Sequence, residues 1–160
     1  MTMIERSNAR AVADLAEGLI LATVETAATP ERVFQALTSE EITDWWGRPG
    51  VFDTRRWKGD VKVGGTWEAT GVARGNSYVL QGEFLEVDPP RKLSHSWHPA
   101  EAPQARTTVS YVLEPIDSGT RVTLRHSGHA SRISCSNNCV GWETSFNRLA
   151  EILAAEQMAA

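Results

Sequence analysis

Gly141-Trp142-Glu143-Thr144-Ser145-Phe146-Asn147-Arg148-Leu149-Ala150-Glu151-Ile152-Leu153 is the stretch on which the architecture turns. Trp142, Phe146, Leu149 and Leu153 step by four, three and four residues, which places them on one face of an α-helix, and Ile152 widens that face. Asn137 or Asn138 can cap its start. About twenty residues of helix reach roughly 30 Å, enough to cross a whole sheet. Upstream the pattern is strand and turn. Segments 51–57, 66–74, 77–88, 92–98, 106–115 and 120–127 read as strands, punctuated by Gly64-Gly65, Gly75-Asn76, Pro89-Pro90, Pro99 and Asp117-Ser118-Gly119. Short strands joined by such turns predict an antiparallel meander. An antiparallel sheet with one solvated face needs apolar cover on the other, and only the last helix is long enough to provide it.

Working back toward the N-terminus, Leu19 to Thr26 is β-prone. Thr29-Pro30-Glu31 then starts a helix, with a capping hydroxyl, proline in the first turn and an acid beside it. Val33, Phe34 and Leu37 form its buried stripe. Ser39-Glu40-Glu41 starts a second short helix with Ile42, Trp45 and Trp46 inward, and Gly47 to Gly50 breaks it. Before Leu19, the helical spacing of Ala9, Val12, Leu15 and Ala16 predicts a short helix over 4–17, ended by Gly18. The expected organisation is therefore an N-terminal helical extension, residues 1–18, and a single domain, residues 19–158.

The composition narrows the classes of function. The net charge of −4 and the 41% apolar content describe an ordinary globular chain. They argue against disorder and against a general nucleic-acid or anionic-membrane surface. The longest early apolar run, Leu19 to Val24, is far too short to span a bilayer. Glu5, Asp14 and Glu17 do not suit a secretory leader, so a cytoplasmic location is expected. No phosphate-binding glycine loop, nucleophile elbow or zinc-protease helix motif occurs, and no cofactor is expected.

Several segments match one known family in order. Ala28-Thr29-Pro30-Glu31-Arg32-Val33-Phe34-Gln35-Ala36-Leu37-Thr38 resembles the first-helix motif of the SRPBCC, or START-like, superfamily. Trp45-Trp46-Gly47-Arg48-Pro49-Gly50 is similar to a signature of the branch named after the activator of the heat-shock-protein-ninety ATPase. Gly64-Gly65-Thr66-Trp67, Gly82 to Trp97 with its Asp88-Pro89-Pro90-Arg91 turn, Gly119-Thr120 to His126, and Gly141-Trp142-Glu143 also match. The resemblance covers about residues 19–155. It implies an α+β helix-grip fold: a curved antiparallel sheet of about six to seven strands wrapped around the long C-terminal helix, with two short helices after the first strand. It also implies a cavity between sheet and helix.

Strand alternation then places the side chains. Thr120, Val122, Leu124 and His126 share a face, as do Thr107, Val109, Tyr111 and Leu113, and both sets are expected inside. Leu93, His95 and Trp97 should face in, with Ser94 and Ser96 outside. Tyr78, Leu80, Gly82 and Phe84 are favoured inward over Val79, Gln81, Glu83 and Leu85; Trp67 and Glu68 face opposite ways, with neither assigned to the inside. Trp45, Trp46 and Trp142 are expected to be core. The expected cavity lining is Trp97, Tyr111, Leu124, His126, Trp142, Phe146, His95 and Phe84, which suits a flat apolar or aromatic ligand.

Three functions compete. A binding module for a small apolar molecule is favoured over a cyclase- or hydrolase-like enzyme using His126 with Tyr111. A co-chaperone-like contact with the heat-shock chaperone stands third, on the family resemblance alone. A homodimer is a further expectation. His126, His129, Cys135 and Cys139 hold zinc-type ligand atoms within fourteen residues, yet their spacing is irregular and reduced cysteines are the favoured reading. Cys139 near a helix start could also be an activated thiol.

Overall fold

The computed structural model describes residues 8–48 and 50–159. Its elements run β1 (Arg10–Asp14), β2 (Leu19–Thr26), α1 (Pro30–Leu37), α2 (Ile42–Trp45), β3 (Gly47–Arg48), β4 (Phe52–Gly59), β5 (Thr66–Ala73), β6 (Asn76–Asp88), β7 (Lys92–Pro99), β8 (Thr107–Ile116), β9 (Gly119–Ser127) and α3 (Arg132–Ala159). All strand pairs are antiparallel, and the nine strands form one sheet in the order β1-β2-β9-β8-β7-β6-β5-β4-β3. The α+β helix-grip architecture is as the sequence predicts. The strand from Leu19 lies beside the last strand, with Ile20 opposite His126.

Apolar side chains of β2, β8 and β9 line the inner face: Ile20, Val24, Val109, Leu113, Val122 and Leu124 are all buried. Phe146, Leu149 and Leu153 of α3 cover them. The short helices close one end of this sandwich. Thr29 caps α1, its hydroxyl accepting from Arg32 N at 3.3 Å. The Trp45 indole N–H donates to Ala36 O at 2.9 Å, and its ring meets Phe146 at 6.4 Å. Arg148 of α3 donates to Asp44 O at 2.7 Å, and Arg32 pairs with Glu41 and Glu156. Among the described residues nothing comparable plugs the opposite end, where β7 finishes and β8 starts.

Four expectations need correction. Residues 10–14 of the expected helical extension are not helical; they form the edge strand β1, paired with β2. Ala9, Ala11 and Ala13 point toward the core with period two, while Val12 is 65% exposed and Leu15 37%. The supposed helical stripe had mixed the two faces of a strand whose inner side chains are all alanine. Pairing with β2 through the turn at Asp14, whose carboxylate accepts from Ala16 N and Glu17 N, decides the matter. The remainder of the 4–17 prediction, residues 4–7, lies outside the described residues. Second, nine strands replace six to seven, the additions being β1 and the two-residue β3.

Third, α3 starts at Arg132, ahead of Asn137 and Asn138, and the Ser131 hydroxyl accepts from Ser134 N at 3.2 Å. Fourth, Ser96 stays on the face opposite His95 and Trp97 but is buried there, where the β6–β7 ladder is interrupted beside it. Ser96 O accepts from the Trp67 indole at 3.0 Å, and its hydroxyl accepts from Glu83 N at 2.9 Å. Gly82 makes this possible, since a Cβ there would lie 1.9 Å from Ser96 O. Trp67 is thus the inward partner of the pair left open, and Glu68 faces out to Gln81 at 3.2 Å. Among the described residues no helix is long and apolar enough to cross a membrane.

Candidate functional site

The unplugged end of the sandwich is hollow. A cavity of about 480 Å³ lies between the first half of α3 and the ends of β4 to β8. Its apolar walls are Trp46, Phe52, Leu80, Trp97, Val140 and Trp142. Polar side chains sit around its mouth: Arg74, Glu101, Ser134, Asn137 and Asn138. Small residues of α3 leave the space. Gly141 has no side chain to fill it, and a Cβ there would sit 3.6 Å from the Phe52 ring.

The inner wall is a chain of hydrogen bonds with one consistent direction. Thr107 Oγ1 donates to Trp97 O at 3.0 Å, so it accepts from His126 Nε2–H at 2.7 Å. That proton assignment leaves His126 Nδ1 as an acceptor, and the Trp142 indole N–H donates to it at 3.0 Å. His126 is therefore a neutral imidazole with both nitrogens occupied. Burial holds its pKa well below the ordinary histidine value, and the neighbouring His129 and His95 push the same way. Trp97 stacks on the His126 ring at 4.6 Å and 15°. The arrangement fixes the cavity wall and offers no free polar atom of this chain of bonds to a ligand.

The expected lining divides in two. Trp97, His126 and Trp142 border the cavity. Tyr111, Leu124, Phe146, His95 and Phe84 do not; they lie in the packed core. These five share inward faces with the cavity residues, but they stand farther along the strands and helix, where α1 and α2 have already filled the space. His95 donates through Nδ1 to Ser96 O at 3.0 Å, and burial among Trp67, Phe84 and Tyr111 lowers its pKa to about 4. Tyr111 is likewise buried, which pushes its phenol upward. Trp46, expected to be core alone, and Trp142, expected both as core and as lining, are buried yet turn a surface toward the cavity.

The cysteine–histidine cluster does not assemble. Among the described residues no three histidine, cysteine, aspartate or glutamate side chains converge as metal ligands. Cys135 and Cys139 are free, and both lie inside α3, one turn apart. Cys135 directs its thiol toward Leu19 O at 3.9 Å. Cys139 is well past the helix start, so the activating dipole expected for it does not operate; burial, with Cys135 and Glu143 nearby, raises its thiol pKa instead. His129 packs against His126 at 4.2 Å, and its Nε2 is buried without a hydrogen-bond partner.

Sequence reasoning missed Trp46, Phe52, Arg74, Asn137, Val140 and Gly141 as lining. One signal was available. Gly141 opens the apolar stripe of α3, and a glycine on the sheet-facing side of a helix marks space rather than packing. Arg74 carried no signal until the hairpin turn placed it.

Comparison with known proteins agrees with this geometry. The family model described as "Activator of Hsp90 ATPase homolog 1-like protein" matches residues 27–154. Protein CV1439 from Chromobacterium violaceum is similar in structure at TM-score 0.75 and 24% identity, over 85% of this chain and 96% of that one. Protein Ms6760 from Mycobacterium smegmatis is similar at TM-score 0.74 and 22% identity, over 91% and 97%. The AHSA1 protein from Silicibacter pomeroyi is similar at TM-score 0.70 and 26% identity, over 86% and 99%. None of the curated proteins matches the chain. On the match over residues 27–154, this chain belongs to the family of activator of Hsp90 ATPase homolog 1-like proteins.

Proposed function

We propose that this domain binds a small, flat, largely apolar molecule in the cavity at the open end of the sandwich. The observation that carries the reading is the hollow itself: about 480 Å³ walled by Trp46, Phe52, Leu80, Trp97 and Trp142, within the size range of small-molecule sites. The helix-grip fold is in general of a ligand-binding type, which supports it. The enzymatic alternative is disfavoured. His126 would have to break bonds to Thr107 or Trp142 before accepting a proton, and Tyr111 does not border the cavity.

The test is a fluorescence titration with 2-naphthamide, a neutral planar probe. Trp46, Trp97 and Trp142 border the cavity, so binding is expected to quench the intrinsic emission saturably at one site. Gly141→Leu places a side chain in the cavity beside Phe52 and replaces a helical glycine, so it is expected to abolish the quenching while the protein stays folded. Absence of saturable quenching in the wild type by this probe and by its carboxylate and ammonium analogues, or unchanged binding in Gly141→Leu, overturns the reading.

A further inference from the structure

The polar groups of the cavity are sorted by depth. On the inner wall Trp142, His126 and Thr107 satisfy one another, through the bonds from Trp142 to His126, to Thr107 and to Trp97 O, whereas His129 Nε2, beside the His126 ring, is buried without a partner. The Tyr78 hydroxyl is taken, by Thr54 Oγ1 at 2.9 Å. A ligand group that needs hydrogen bonds would lose them to water without replacement if it were pushed against this wall. The part of the ligand that meets Trp97, His126 and Trp142 must therefore be bare hydrocarbon or aryl. Polar recognition is left to His129 and to the exposed mouth, where Arg74, Glu101, Ser134, Asn137 and Asn138 stand.

Arg74 is set there at a conformational cost. Arg74 and Gly75 form the two-residue connection between β5 and β6, with Ala73 opposite Asn76. Both have positive φ, 50° and 81°, the geometry of a mirror-image hairpin turn. Asparagine or glycine is the usual first residue of such a turn, because a long side chain crowds the backbone in this conformation. Arg74 is the non-glycine residue with positive φ among the described residues. Its backbone N–H donates to Val51 O at 2.9 Å, which ties the hairpin to the loop before β4 on the cavity wall. Its guanidinium takes part in none of the ion pairs among the described residues.

Resting on the reading of the cavity as a ligand site, we propose that the ligand class is an amphipathic monocarboxylate. Its aryl or hydrocarbon body enters against Trp97 and Trp142, and its carboxylate stays at the mouth on Arg74. The side-chain amides of Asn137 and Asn138 supply further donors from α3. Glu101, on the loop after β7, shares the mouth and limits how much negative charge the rim tolerates beside Arg74.

The test compares 2-naphthoate with 2-naphthamide and with 2-naphthylmethylammonium, which share the ring system and differ in charge. The wild type is expected to bind naphthoate about tenfold more tightly than naphthamide, and the ammonium most weakly. Arg74→Asn should erase the preference for naphthoate, weakening naphthoate about tenfold and naphthamide much less. Because asparagine fits the turn better, the same variant should raise Tm by about 1–3 °C, which separates lost recognition from lost folding. Equal binding of acid and amide by the wild type, tighter binding of the ammonium, or equal losses of acid and amide in Arg74→Asn would each overturn the proposal while the cavity reading stands. Failure of all three probes removes the cavity reading and the proposal with it.

Discussion

Toward its C-terminus α3 lays Phe146, Leu149 and Leu153 on the sheet, none more than 1% exposed, with Trp45 wedged against Phe146 from α2. Toward its N-terminus the same helix presents Ser134, Asn137, Asn138 and Gly141 to Phe52, Leu80 and Trp97, and about 480 Å³ remains unfilled. Sheet and helix are continuous across both halves. The difference comes from side-chain size along one helix and from two short helices that close one end only. A cavity in this fold is thus made by what α3 leaves out, and the hydrogen-bonded wall of His126, Thr107 and Trp142 is the seam between the two halves.

The sharpest way to break the comparison is to truncate one phenylalanine in each half. Phe146→Ala should cost about 3–5 kcal/mol, since a fully enclosed ring is lost from a site that cannot collapse. Phe52→Ala, at a half-buried ring facing an existing hollow, should cost about 1 kcal/mol. Urea unfolding measures both; equal losses would mean that the two halves are packed alike.

Acid should act next most strongly, and through the packed side. His95, with a pKa of about 4, and His126, also lowered, are held neutral by burial. The unfolded chain binds protons at these residues near pH 6.5 while the folded protein does not, so stability is full above about pH 6.5 and falls as the pH drops toward 4. His95 alone should account for about 3 kcal/mol over that window. A stability that stays flat from pH 7 to 4 would contradict this burial.

The seam itself is tested by Thr107→Val, which keeps the shape and strands both His126 Nε2–H and Trp97 O. The expected cost is about 1–3 kcal/mol, with a shifted and faster-exchanging Trp142 indole proton by NMR. A neutral effect would show that the wall is not held by this chain. The smallest effect has the opposite sign. Ser145 is fully buried and its hydroxyl lacks a partner, so Ser145→Ala should stabilise the protein by about 1 kcal/mol in a thermal melt.

The apolar periodicity of residues 142–153 and the alternation in residues 107–113 and 120–126 gave α3 and the inner face directly, because each pattern has one period and one buried side. The edge strand β1 was illegible for the opposite reason. Its inner residues are small alanines, its largest side chain, Val12, points outward, and only pairing with β2 reveals the period. Ser96 keeps its place in the alternation of β7 but is buried, because its hydroxyl accepts from Glu83 N of the neighbouring strand, a contact that the spacing along β7 does not show.

The candidate site shows the same limit. Alternation says that Trp97, Tyr111, Leu124 and His126 face inward, but not which of them a helix will cover and which a hollow will leave bare. That depends on where α1 and α2 close the sandwich, and on the hairpin that carries Arg74 to the mouth. The sequence by itself determined the elements from Leu19 onward except the two-residue β3, their order and most of their buried faces, because these follow from local spacing and turn chemistry. Only the tertiary structure decided the cavity and the neutral, doubly bonded His126, because a void and a hydrogen-bond chain exist between residues far apart in sequence.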